Sequence, residues 1–526
     1  MAGPQVRDKQ DGLTMDLHTL KTVMAIDRQV RRATSGFWHS TPAAVLHDPV
    51  LGHVFGEFEL SVADVVLVGM LAQVHTLITG PTGCGKTHLV RLICQGVYGK
   101  DRWHLLKLNP HLTEETFADI DTKRFQEQSL RAAVSPAPFL FQPCTILDEC
   151  NRCPPALTNV LLGFLDGEIQ LKCGVKAEVG YAPTATDLPK PYHVVIGTMN
   201  EGRDYTGTFS LDPALARRFT LTVPFDDLRP TAHDVVDFVA ECPGFTRLPE
   251  WSGLVDDLAR LAPRLESLPV DPLAEVYVIY MMQLDRCLHT ASGFRPRDTS
   301  EARCEQADCR VRKSANGFCP STGALPGGVV RPLKRAARAL ASLRAARTLE
   351  AVQAACETED EKAVEPLRAF AQSPNLSGEE LREAAVNKYA AGVTVTAQDI
   401  KALVPFVGMG DKIRLDEGYV AKHFSGSRWL ALQHYARHAY ASLEAFFRQN
   451  QSLFNALPGS NGTVAKLRQR LEHAEKFTYP AIRHTIEPLL DRYVSPVRGP
   501  EEIAAEMESQ AETEVATARL LGEPTP

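Results

Sequence analysis

No stretch of this 526-residue chain approaches the roughly 18 consecutive apolar residues that a membrane-spanning helix requires. Met1 to Gly12 is polar and charged and lacks the apolar segment of a secretory signal, so a cytoplasmic location is expected. A basic excess is also missing. Lys and Arg number 57 against 64 Asp and Glu, a net charge of −7. Residues 500–526 hold seven Glu and one Arg, so that stretch supplies most of the imbalance and the rest is near neutral. This is not the footprint of a dedicated nucleic-acid binder, and neither nucleic acid nor membrane is expected as a partner. The acidic end reads as a solvated tail. No internal repeat and no extended low-complexity segment is present, which excludes repeat arrays. Twelve cysteines without an export signal argue for thiols rather than a disulfide framework.

What is present begins at Gly80-Pro81-Thr82-Gly83-Cys84-Gly85-Lys86-Thr87, which fits G-x-x-x-x-G-K-[ST]. Val74–Ile78 before it reads as a strand and His88–Val97 after it as a helix. Glycines allow the backbone N–H groups to curl around phosphates, and the helix start adds positive dipole. Lys86 would reach the β- and γ-phosphates, and Thr87 would hold Mg²⁺. Gly80 through His88 are therefore the candidate nucleotide-binding residues.

Two to four domains are expected at this length. Residues 1–50 form a helical lead-in, and 13–72 read as mostly helical. A nucleotide-binding domain is read over 51–225; from 74 to 225 strands and helices alternate, with further strands at Trp103–Leu108, Cys144–Leu147, His193–Ile196 and Phe219–Val223 and a helix at Ala156–Leu165. Such alternation means a parallel sheet covered on both faces, with its ligand at the carboxyl ends of the strands. Residues 226–415 read as helical, with insertions at 291–328 and 355–390. Within them Pro332–Leu349 is a helix, Ser377-Gly378-Glu379-Glu380 reads as a capping box, and Thr396–Phe406 as a capped helix. Residues 416–495 form a further, aromatic-rich helical region, and 496–526 the tail.

The strand Cys144-Thr145-Ile146-Leu147 ends in Asp148-Glu149. An acidic pair at the end of a buried strand is hard to justify by packing. Its chemical use places Asp148 on Mg²⁺ and Glu149 on the attacking water; the alternative is an ordinary helix cap. His193 to Met199 is a second apolar strand, and it ends in Asn200, an amide suited to the γ-phosphate and that water or simply to a turn. Arg217 and Arg218 precede the last strand. Arginine's rigid fork suits phosphoryl transfer, although two basic residues also complement a helix end.

The order of these motifs resembles that of AAA+ ATPases. In detail, Asp148-Glu149-Cys150-Asn151-Arg152-Cys153-Pro154-Pro155 and Val395 to Leu403 are similar to the MoxR branch, including its CbbQ/NirQ-like members. The resemblance covers roughly 50–260 and, interrupted, 325–415. It implies an α/β fold: an AAA+ parallel-sheet ATPase core with a helical lid, here followed by an additional C-terminal helical region. It implies ATP and Mg²⁺, catalytic roles for Glu149 and Asn200, and Arg218 as a finger reaching into a neighbour's site, with Arg217 the weaker candidate. Arg331 stands at the position of the lid's sensor arginine, although Val329-Val330 replaces the family's Ser-Pro before it. Lys334, Arg335 and Arg338 on the same helix read as a solvated basic face. A finger in trans implies a ring, commonly a hexamer, acting on a client protein, often one with a von Willebrand factor A domain. Residues 166–192 match the place of the family's inserted hairpins.

Two other functions fit the same core: a nucleic-acid motor, and a nucleotide-gated scaffold with incidental turnover. Cys304, Cys309 and Cys319 with His289 could bind Zn²⁺, though not at the usual paired spacing. Cys150 and Cys153 form a C-x-x-C for which a redox role and plain packing are both open.

Overall fold

The computed structural model describes residues 16–34, 43–127, 133–171, 174–183, 190–200, 211–225, 228, 254–284, 325–358, 360–407, 417–438, 441–456, 461–475 and 480–494. These residues fall into two compact units, one within Met1–Met282 and Pro320–Arg437, the other within Gln283–Cys319 and His438–Pro526.

The first unit is organised by five parallel strands: β3 (His75–Gly80), β4 (His104–Lys107), β5 (Cys144–Asp148), β6 (Val194–Asn200) and β7 (Phe219–Pro224). Their order across the sheet is β7-β3-β6-β5-β4. Burial on both faces explains why the central β5 and β6 are near-continuous apolar runs, whereas β4 at the edge of the sheet is partly exposed. Gly197 in β6 is required by close approach: a Cβ there would lie 2.9 Å from Cys150 Sγ, Leu77 Cδ1 and Phe219 Cζ. Helix α1 (Leu17–Thr34) precedes the sheet in sequence. Helix α2 (Val62–Ala72) is buried along its whole length and opens on a capping box in which Ser61 and Asp64 exchange hydrogen bonds. Helix α3 (Lys86–Tyr98) follows the glycine loop, α4 (Thr158–Asp166) follows β5, and α5 (Pro213–Arg218) leads into β7.

The region before the glycine loop is not uniformly helical. Ala44–His47 (β1) and Glu57–Leu60 (β2) pair as an antiparallel hairpin. Each strand has only four residues, too short for a period to declare itself in sequence.

The lid consists of α6 (Leu254–Glu266), α7 (Pro272–Met282), α8 (Gly327–Thr358), α9 (Glu361–Ala371), α10 (Gly378–Ala391) and α11 (Ala397–Leu403). Helix α8 contains the expected Pro332–Leu349 and extends beyond it at both ends. The stretch 355–390, expected as an insertion, is mostly ordered helix. Ser377 precedes α10, but its side chain makes no capping hydrogen bond. Thr396 does cap α11: Asp399 Oδ2 accepts from its backbone N–H and from its hydroxyl, each at 2.8 Å.

Helix α8 joins lid to core through buried charge. The Arg344 side chain is 2% exposed and donates to Asp48 at 2.7 Å, to both Asp399 oxygens at 3.0 and 3.1 Å, and to the Thr394 carbonyl at 3.1 Å. Tyr389 donates its hydroxyl to the same Asp48. One turn on, Arg347 bridges Asp27 of α1 and Asp64 of α2 and lies over the Phe58 ring. Burial opposes the charge on Arg344, but the carboxylates of Asp399 and Asp48 overcome it and hold its pKa above the ordinary guanidinium value.

The second unit is helical in its described residues: Ala441–Gln449, Gln451–Asn455, Asn461–Glu475 and Pro480–Val494. The last two pack together, with Leu467, Leu471, Ile486 and Leu490 buried and an Arg468–Asp491 ion pair at 2.5 Å. Among the described residues no helix is long and apolar enough to cross a membrane.

Removing one partner of a buried ion network leaves an uncompensated charge. Arg344→Ala strands Asp48 and Asp399 without their cation and should cost about 3–5 kcal/mol of stability. Urea unfolding followed by circular dichroism would measure this, and a loss below about 1 kcal/mol would show that the network does not hold the lid.

Candidate functional site

Three strands deliver the site. The register aligns Asn200 with Gly80 across β6 and β3, and Gly197 with Leu147 across β6 and β5. The glycine loop, the acid pair and the amide therefore emerge at the same sheet edge, where ligands of parallel sheets bind. Gly83 and Gly85 adopt φ of 82° and 90°, the left-handed region in which glycine meets no Cβ penalty. Gly85 is also the residue from which α3 starts, so the first helical N–H groups face into the loop.

Lys86 is 5% exposed. Its ammonium donates to the carbonyls of Gly80 at 2.8 Å and Pro81 at 2.6 Å and to Asn200 Oδ1 at 3.0 Å. The cation is thus held inside the loop by exchangeable neutral acceptors. Cys84 Sγ donates to the Pro81 carbonyl and lies 3.6 Å from Lys86 Nζ. His88 stands on the first turn of α3, where partial desolvation, then the nearby Arg91, pushes its pKa below the ordinary imidazole value.

Asp148 is the convergence point. Its Oδ1 accepts from Thr87 Oγ1 at 2.8 Å and from Thr198 Oγ1 at 2.6 Å. Two hydroxyls and a carboxylate, all hard oxygen donors, suit Mg²⁺. Glu149 follows in a left-handed backbone conformation, φ 61° and ψ 52°. For a non-glycine residue this costs on the order of 1–3 kcal/mol. A hydrogen bond from its backbone N–H to Thr198 Oγ1, 3.1 Å, stabilises it. The Glu149 carboxylate meets Asn200 Nδ2 at 3.4 Å and Arg152 at 3.2 Å.

Glu149, Asn200, Lys86, Thr87 and Asp148 are thus brought together. Thr198 belongs with them but was not singled out from the sequence; Asn151 and Arg152, quoted there only within the stretch Asp148 to Pro155 and given no role, belong with them too. Thr198 lies two residues before Asn200, so strand alternation puts both on one side, and that was the available signal. Asn151 donates to the Asn200 carbonyl at 2.9 Å and braces the acid-pair turn against β6.

The two arginines expected to act from elsewhere lie apart from this cluster. Arg218 forms a bidentate pair with Asp166, at 2.8 and 2.6 Å, and donates to the Ala214 carbonyl at 3.0 Å. This fixes it against the end of α4. Arg331 lines a cleft of about 450 Å³ with Glu266, Gly327, Val330, Lys334, Arg335 and Arg338. Among the described residues no hydrogen bond or ion pair joins Arg331 to the glycine loop. The basic residues beside it are not a freely solvated face: Lys334 pairs with Glu275, Arg335 with Glu266, and Arg338 donates to the Leu268 carbonyl. Within 166–192 a short hairpin pairs Glu168–Gln170 with Lys176–Glu178.

Cys150 and Cys153 are buried, and their thiols donate to the carbonyls of Leu147 and Pro154. Burial pushes Cys153 up to about 11 and Cys150 higher still, so thiolate is suppressed and the pair packs as small apolar residues. Cys304, Cys309, Cys319 and His289 lie outside the described residues. Among those described, no group of three or more His, Cys, Asp or Glu is placed to hold a metal ion.

Residues 75–219 match the model of a family described as AAA domain, dynein-related subfamily. A solved structure described as a "putative ATPase" from Cytophaga hutchinsonii is 12% identical, with a TM-score of 0.42 over 77% of this chain and 92% of that one, too loose a likeness to bear on function. No curated protein matches the chain. The family match spans β3 through the start of β7 and so encloses the glycine loop, the acid pair and Asn200: residues 75–219 match an AAA domain, and the parallel-sheet fold they form, with its P-loop, is followed by a helical lid.

Proposed function

We propose that this chain hydrolyses ATP within a ring of its own copies, as MoxR-type ATPases do, and couples turnover to remodelling, activation or cofactor maturation of a partner protein. The observation that carries the hydrolytic part is the convergence of Lys86, Thr87, Asp148, Glu149 and Asn200 at one sheet edge. Lys86 exchanges the Gly80 and Pro81 carbonyls for terminal phosphate oxygens and thereby sets its charge where negative charge develops. Thr87 and Asp148 would hold Mg²⁺, which when bound neutralises phosphate charge. Glu149 accepts the proton of the attacking water, and Asn200, already bridging Lys86 and Glu149, aligns that water with the γ-phosphate. Arg218 is presented by α5 and Asp166 on the subunit surface, from where it serves the adjoining subunit's site. A client carrying a von Willebrand factor A domain fits this reading.

Glu149→Gln should keep ATP affinity within a few-fold while turnover falls at least about 10²-fold. Phosphate release alongside equilibrium binding of ATP measures both, and near-normal turnover would remove Glu149 from the mechanism. Arg218→Ala should likewise bind ATP and lose about 10³-fold in turnover. Mixed with the unaltered chain, it should depress activity more than in proportion to its share. A strictly proportional loss would exclude action across subunits.

A further inference from the structure

Among the described residues the Glu149 carboxylate has one side-chain hydrogen bond and one ion pair. Asn200 Nδ2 reaches Oε1 at a long 3.4 Å, and Arg152 reaches Oε2 at 3.2 Å. Asn200 is also engaged elsewhere, because its Oδ1 accepts from Lys86 and its carbonyl accepts from Asn151. When Lys86 turns to phosphate, Asn200 loses one of the contacts that fix its amide and is drawn toward the nucleotide with it. Arg152 has no such link to Lys86. It sits on the short turn Cys150–Arg152, whose backbone is closed by Arg152 N–H to the Glu149 carbonyl at 2.8 Å.

The Arg152 Nε–H is buried without a hydrogen-bond partner, while the terminal nitrogen of the same partly exposed side chain pairs with Glu149. A solvent-facing pair of this spacing contributes little to stability, so its position is better explained by what it does to Glu149 than by what it adds to the fold. The left-handed backbone of Glu149 sharpens the need, since a side chain leaving the strand in that conformation is not guided by the pleat.

We infer that Arg152 is a positioning residue, a tether that keeps the Glu149 carboxylate aimed while Lys86 and Asn200 are recruited to the nucleotide. This rests on the reading of Glu149 as the base. Arg152 touches neither substrate nor metal in this role and acts only through Glu149.

The test uses the full chain, with ATP as the probe and kcat and equilibrium ATP affinity measured separately. Arg152→Ala should lower kcat by about tenfold or more with affinity within a few-fold of the parent, because only the aim of the base is lost. Arg152→Lys, which retains a cation of similar reach, should recover most of that loss. Combined with Glu149→Gln, Arg152→Ala should produce no further drop, as expected of two residues acting as one unit. Should the alanine variant not fold, Arg152→Gln, similar in length and uncharged, takes its place with the same expected loss. An Arg152→Ala kcat within about twofold of the parent, an equal loss in affinity, or an additive loss in the double variant would overturn the inference and leave Glu149 as the base. Turnover persisting in Glu149→Gln alone would overturn both.

Discussion

A single carboxylate oxygen, Asp148 Oδ1, accepts hydroxyl hydrogen bonds from two different elements, the helix after the glycine loop and the central strand β6. That oxygen is available to both only because β5 lies beside β6 and β6 beside β3 in a common register. The site therefore depends on the sheet in a strict sense. A slip of one residue in β5 or β6 would turn every side chain to the opposite face and separate Thr87, Thr198 and Asp148 together. Gly197 protects that register, since any side chain there would collide with its three neighbours.

The lid is attached by a different physical device. Arg344 and Arg347, one turn apart on α8, satisfy buried acids from the hairpin region, from α1, from α2 and from α11. A buried ion network contributes more to geometric specificity than to net stability, because desolvation cancels much of the attraction. Such a joint fixes where α8 lies against the core. The first turns of α8, with Arg331 and its neighbours, are placed by it and line a separate cleft.

Much of the nucleotide core was legible in the sequence. Strands β3, β5 and β6 stood out as apolar runs ended by glycine, acid or amide, and the glycine loop fixed where their carboxyl ends must meet. The β1–β2 hairpin was not legible, because four-residue strands leave too few positions for a pattern. Arg344 and Arg347 fell inside a helix full of basic residues, and nothing local separates a buried arginine from a solvated one when its acids lie tens to hundreds of positions away. Ser377 had the right residues for a capping box yet makes no cap bond, since composition does not fix a side chain's rotamer. Thr198, and the pairing of Arg152 with Glu149, were hidden for a related reason: each is defined by the partner met across strands or across a turn.

The central claim is that this cluster binds a triphosphate, with Lys86 and a divalent cation sharing its charge. Calorimetric titration of the chain with ATP, with and without Mg²⁺, tests it most directly when run beside Lys86→Ala. The account predicts one ATP per chain, tighter binding when Mg²⁺ is present, and loss of binding in the Lys86 variant. No binding in either condition, or binding indifferent to Lys86, would contradict it.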